Sequence, residues 1–308
     1  MEIWEKKNVK ELQAAELLSG VKTILQEAIN YYNSSRFVLL RVRQNEALFT
    51  SFYERFVRQS EDPAPQIFLR GFDSEPIRAE KALFDIATWC RENPALADVL
   101  RDTPRKDVEK TLTEEIPPDS VSANVWTEWQ DRFQAYLDKH GHAIYDLDIL
   151  KPVPATDPSL PFDTLTWLLE SEGLDPYMRQ RQLSERRQQA TDSVLRRLGP
   201  IRRPIFRRLL KQAQNVTSLR EDILAEVGRG WPVLQQMAEE VGLRLAETGV
   251  IDQADDVYWL EWEELNEMAA ALDGGRTPLN DVSETVIERK ARWESRKYLI
   301  RPRLSTDV

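Results

Sequence analysis

The feature that most constrains this chain is the spacing of its apolar residues, which recur at intervals of three and four almost from end to end. Residues 11–32 place Leu12, Ala15, Leu18, Val21, Leu25 and Ile29 on that period. Residues 36–58 repeat it with Val38, Leu39, Val42, Ala47, Leu48, Phe52 and Phe56. Such a period puts one apolar stripe on a helix and cannot alternate as a strand requires. Further helices are expected at about 121–139, 162–172, 176–198, 202–214, 217–248, 261–271 and 282–298. Ser74 is expected to cap a helix whose first turn holds Pro76, and Ser218 with Glu221 reads as a capping box. Gly249 is a natural stop for the long helix before it. The only credible strand or extended piece is Val257–Leu260. The expected fold is therefore all-α, a multi-helix domain with at most one short strand or extended hairpin.

Four prolines, Pro152, Pro154, Pro158 and Pro161, mark 149–162 as an extended connector. It would separate an N-terminal helical lobe, 1–148, from a C-terminal lobe, 163–308. The 308 residues are enough for a sizeable core. The net charge of -10 gives no global support for nucleic-acid or anionic-membrane binding. No run approaches the roughly 18 apolar residues of a membrane span, and the charged N-terminus lacks the apolar centre of a signal peptide. The single cysteine, Cys90, fits a reducing cytoplasm and lies on an apolar helical face, as a core residue would.

Chemistry is concentrated in "KHGHAIYDLDILKPVP", residues 139–154, which holds both histidines, His140 and His142, and then Asp146 and Asp148. Metal-binding histidines on a helix are spaced i, i+4. Here they are i, i+2 and straddle a helix end at Gly141. A structural turn, a ligand pocket and a metal or acid/base centre using these four residues all remain open. A second cluster, Arg196 to Lys211, is basic within an acidic chain; it reads as a solvated face or one that docks an acidic partner, and as a lesser alternative a nucleic-acid face. Arg220, near the start of "REDILAEVGRGWP", could point into a cleft. Neither a phosphate-cradling glycine loop nor a nucleophile elbow occurs.

Three stretches carry a resemblance: "FLRGFDSEPIRAEKALFDIATW", "HGHAIYDLDILKPVPATDP" and "REDILAEVGRGWPVLQQMAEEVGLRLAETGVIDQADDVYWLEWEEL". Together, and in this order, they resemble the central helical region of phosphoenolpyruvate-synthase-like phosphotransferases of the rifampicin-phosphotransferase type. Gly141-His142 and Asp146-Leu147-Asp148 match a family pattern in which an Arg follows the His; here that position is Ala143. The resemblance covers about 65 to 300. It implies a helical module that binds a small-molecule acceptor, with His140, His142, Asp146, Asp148 and Arg220 as substrate-binding residues. No catalytic residue and no metal ligand is assigned to this chain. ATP and Mg²⁺ would be held by a partner ATP-grasp domain or subunit, and the phosphorylated histidine by a swivelling domain. The module alone would then be catalytically incomplete.

Overall fold

A computed structural model describes Trp4 and residues 7–144, 148–170, 175–278 and 282–299. Its helices are α1 (Ala14–Phe56), α2 (Glu75–Arg91), α3 (Pro94–Asp102), α4 (Val108–Thr113), α5 (Ala123–His140) and α6 (Ser159–Glu170). They continue with α7 (Pro176–Arg197), α8 (Arg202–Val227), α9 (Trp231–Glu247), α10 (Trp262–Asp273) and α11 (Ser283–Leu299). Short 3₁₀ turns join several of them. The described residues contain no strand, so the fold is all-α.

Helix α1 runs 43 residues where the periodicity suggests two helices. The residues between, Asn33 to Arg36, include no proline or glycine. Their intrinsic cost is under about 1 kcal/mol each, too little to break a helix that packs on both sides. Ser34 stays helical by donating its hydroxyl to the Asn30 carbonyl at 2.8 Å. Further on, α8 runs through Ser218, which sits inside the helix and caps nothing. The break comes at Gly228–Gly230, where two glycines precede Trp231 and Pro232. Proline fits the first turn of a new helix and not the interior of an old one. Val257–Trp259 is likewise not extended but part of the 3₁₀ turn Ala254–Trp259, and only Leu260 after it has extended backbone. A reciprocal cap between Gln253 and the buried Asp256 closes that turn, and Asp256 also pairs with Lys290. Helix α6 starts at Ser159, inside the proline-rich stretch, because Pro161 falls in its first turn.

The chain divides into two compact units. The smaller comprises Met1–Glu27, Asp148–Lys151 and Gly230–Val308. Its core sets Leu17, Val21 and Ile24 of α1 with Leu234, Met237 and Val241 of α9. Gly20 permits this approach, since a Cβ there would lie 2.5 Å from the Met237 sulfur. Asp273 accepts the Ala14 and Ala15 amides at 2.7 and 2.9 Å, capping α1 from the end of α10.

The larger unit comprises Ala28–Leu147 and Pro152–Arg229 and holds two cores. One joins α2, α3, α5 and α6 around Trp126, Trp129, Phe133 and Phe162. Cys90 lies within it, fully buried, and burial pushes its thiol up to about 12 against the opposing charge of Arg132. The other gathers Phe49, Tyr53, Phe68 and Phe206, whose rings lie 4.9 to 6.3 Å apart. Arg202, at the start of α8, donates to the Phe56 carbonyl at the end of α1, which ties the two helix ends together.

Candidate functional site

The candidate site is built where α5 ends. Helix α5 buries Trp126, Trp129, Phe133, Tyr136, Leu137 and His140 along one side, which fixes the rotation that turns His140 inward. Gly141 follows as the C-cap, its amide bonded to the Leu137 carbonyl at 2.7 Å. No side chain could replace it without collision: a Cβ would meet Ala155 at 2.8 Å. The Gly141 carbonyl accepts from the Ala155 amide at 2.9 Å, which ties the helix end to the stretch before α6.

His140 is buried, and its Nδ1 lies 2.5 Å from Glu75 Oε1. Glu75 opens α2. Its second oxygen pairs with Arg78 at 3.0 Å, and Arg78 also reaches Asp222 of α8 at 2.8 Å and Asp73 at 3.1 Å. Lys81 adds a contact to Asp73 at 3.3 Å. The same Asp222 oxygen accepts the Glu75 amide at 2.8 Å. Ser74 has the extended backbone of a cap but makes no side-chain capping bond; Asp222 supplies it from another helix. Burial pushes the Glu75 carboxyl up, but the hydrogen bonds from His140 and Arg78 outweigh it and hold the carboxyl below its usual range. Asp73 is lowered in the same way, burial being overcome by Arg78 and Lys81.

Two residues on, His142 differs. Its Nε2 is buried and has no hydrogen-bond partner among the described residues. Burial lowers its pKa, against the raising effect of the Glu226 and Glu75 carboxylates, so the ring is neutral near pH 7. Its backbone is pressed against the end of α8, where a Cβ on Gly228 would lie 2.2 Å from the His142 carbonyl oxygen.

Asp146 falls outside the described residues. Asp148 belongs to the smaller unit and accepts the Leu150 amide at 3.2 Å. Gln235 steadies the same turn through the Ile149 and Lys151 carbonyls at 3.0 and 2.8 Å. Arg220 is exposed and pairs with its neighbour Glu221 at 2.7 Å; two residues from Asp222, it lies on a different face of α8. Sequence reasoning missed Glu75, Arg78 and Asp222 as members of the cluster. The signal available was weak: an acid and a base three apart at the start of a helix.

Among the described residues, no group of three or more His, Cys, Asp or Glu side chains is arranged to hold a metal ion. Two concavities flank α4. One of about 640 Å³ is lined by Asp98, Asp102, Asp107, Lys110, Thr111 and Glu114 among others. The second, about 460 Å³, is lined by Arg105, Lys106, Glu109, Asp157 and Ser159 among others. Neither is lined by His140, His142, Asp148 or Arg220.

The family model described as rifampicin phosphotransferase fourth domain matches residues 46–221. Apart from Asp148–Lys151, that span lies wholly in the larger unit and includes the His140–Glu75–Arg78 cluster. No curated protein matches the chain.

Proposed function

The chain belongs to the family of rifampicin phosphotransferase fourth domains, and from this we propose that it is the acceptor-binding part of a phosphoenolpyruvate-synthase-like, ATP-dependent phosphotransferase. ATP and Mg²⁺ would be held by an ATP-grasp partner, and the phosphohistidine by a swivelling partner. The family match over 46–221 carries this reading. The chemistry of the two histidines supports it. His140 is engaged with Glu75 and acts as a positioning residue, fixing the end of α5 and the stretch that follows. His142, neutral and with a buried Nε2 that has no partner among the described residues, keeps an unused hydrogen-bond acceptor, which an acceptor hydroxyl would reach by displacing the side chains that cover it. Asp146 is the carboxylate proposed to orient that hydroxyl. This part would contribute alignment of the acceptor, not a covalent step.

Rifampicin is the first acceptor to test. The purified chain, with nine tryptophans, should report its binding by fluorescence quenching, corrected for absorption by the drug. His142→Ala should weaken binding about tenfold, the loss of one hydrogen bond to a buried group. The chain alone should not consume ATP in the presence of acceptor. ATP turnover without a partner protein would refute the division of labour, and unchanged binding by His142→Ala would remove that residue from the site.

A further inference from the structure

We infer that the outer face of α1 in the larger unit forms a docking surface for an acidic, helical protein partner. The inference does not depend on the acceptor reading. In residues 28–49 of α1, the buried positions are Ser35, Val42 and Phe49, one every seven residues. At roughly 100° per residue, Ile29, Phe37, Leu40 and Leu48 fall on the opposite side of the helix. All four are more than half exposed, Phe37 the most at 64%. A monomer seldom leaves so many large apolar side chains aligned in water. Helix α8 shows a similar division on its own surface: Phe206, Leu210 and Ala213 are buried, and Ile205 and Leu219 are exposed on the other side with Arg208, Ile201 lying just before the helix.

Charge identifies the occupant. The chain carries a net -10, yet residues 28–45 contain Arg36, Arg41 and Arg43 and no acid. Residues 193–220 contain eight cationic residues and no acid. The structure uses some of these internally: Arg197 pairs with Asp62, and Arg196, Arg202 and Arg203 donate to backbone carbonyls. Arg41, Arg43, Arg207, Arg208 and Lys211 have no carboxylate partner among the described residues. On α1 the arginines flank the apolar stripe on both sides. A helix with an apolar seam and carboxylate flanks matches both features at once. A phosphate backbone would leave Phe37, Leu40 and Ile201 in water. A bilayer would leave Asn33 and Gln44, which lie within the stripe, without hydrogen-bond partners, whereas a protein helix can set polar side chains opposite them.

The probe is a synthetic helix of about 20 residues, matching the roughly 30 Å of the stripe, with leucines at 3–4 spacing and flanking glutamates. Fluorescence anisotropy against the full chain should give a Kd in the micromolar range, roughly 1–50 µM, weakening with salt. A lysine-flanked version should bind at least about tenfold more weakly, the direction set by charge complementarity. Two variants, R36E/R41E/R43E and F37D/L40D, should each lose about tenfold or more, while R101E, whose arginine lies outside this face, should not. All these positions are exposed or on a helix surface, and circular dichroism should show unchanged helix content. The inference is overturned by no binding below roughly 1 mM, or by variants that bind as the parent does. It is equally overturned if duplex DNA, single-stranded RNA or phosphatidylserine vesicles bind more tightly through the same residues. A concentration-dependent dimer abolished by either variant would assign the face to a second copy instead and overturn the inference too.

Discussion

His140 Nδ1 and Glu75 Oε1 lie 2.5 Å apart across 65 residues of sequence, inside the larger unit, with the imidazole almost wholly out of water. This contact joins the end of one helix to the beginning of another. It also brings Arg78 and Asp222 into the same network. Removing either member strands the other in a partly dry environment, where an unsatisfied charged or polar group costs far more than the intact pair contributes.

His140→Ala and Glu75→Gln should each destabilise the chain by about 2–4 kcal/mol, read from urea denaturation midpoints. The pH dependence has a definite sign. The folded Glu75 carboxyl titrates below its ordinary range, so its contribution is fully present above the unfolded carboxylate value of roughly 4.3. It is lost as pH falls through the folded value. Below about pH 4.3 the parent should therefore lose stability more steeply than Glu75→Gln. Parallel acid limbs would show that the carboxylate makes no such contribution.

Asp222 does two jobs with one oxygen, accepting the Glu75 amide and the Arg78 guanidinium. Both side chains of the ion pair are about a third exposed, so solvent screening limits that pair to under about 1 kcal/mol. The capping bond is worth about 1 kcal/mol more. Asp222→Ala should cost about 1–2 kcal/mol and Asp222→Asn about half of that, because an amide oxygen still accepts. Added salt should shrink the Asp222→Asn effect and leave most of the Asp222→Ala effect. Equal losses in the two variants would place all the stabilisation in the charge.

Sequence pattern reached the helical class, the end of α5 at Gly141 and the burial of Cys90, because each depends on local periodicity or on one residue's backbone and size. It did not reach the network. Glu75 and Asp222 are 147 residues apart, and no local period links them. Ser74 and Ser218 show why cap signals mislead. Ser74 has the right backbone, but its capping bond comes from Asp222; Ser218 begins a capping-box pattern, yet the preceding residues lack a breaker and α8 simply continues. A tenth-to-one kcal/mol preference at one residue yields to the packing of a whole helix. Arg220 and Asp222 are two residues apart, and that small rotation decides which of them faces α2.

Gly228 should tolerate no side chain. Its backbone angles are ordinary for any residue, so the restriction is purely one of space: the nearest obstacle is the His142 carbonyl at 2.2 Å, with an Ile144 methyl at 2.7 Å. Backbone cannot move aside as a flexible side chain can. Gly228→Ala should cost about 2–3 kcal/mol by overpacking, and it should weaken the acceptor binding proposed at His142 more than it alters helix content. Gly199 is the control, with open space around its would-be Cβ; Gly199→Ala should stay within about 0.5 kcal/mol of the parent. Equal tolerance at both positions would contradict the close approach of α8 to the His142 backbone.

Cys90 offers a direct readout of whether the core around Trp129 opens. The thiol is fully buried, and burial raises its pKa to about 12, since nothing beside it favours a thiolate except the more distant charge of Arg132. The nucleophile is the thiolate, so at pH 8 both access and ionisation oppose reaction. The native chain should leave a colorimetric disulfide reagent unreacted for hours, and denaturant should release one thiol per chain. Labelling at intermediate denaturant should follow the opening of the α2–α3–α5–α6 core. His140→Ala removes a contact from α5, which lines that core, and should speed labelling. Rapid labelling of the native parent at pH 8 would show that the thiol is not enclosed.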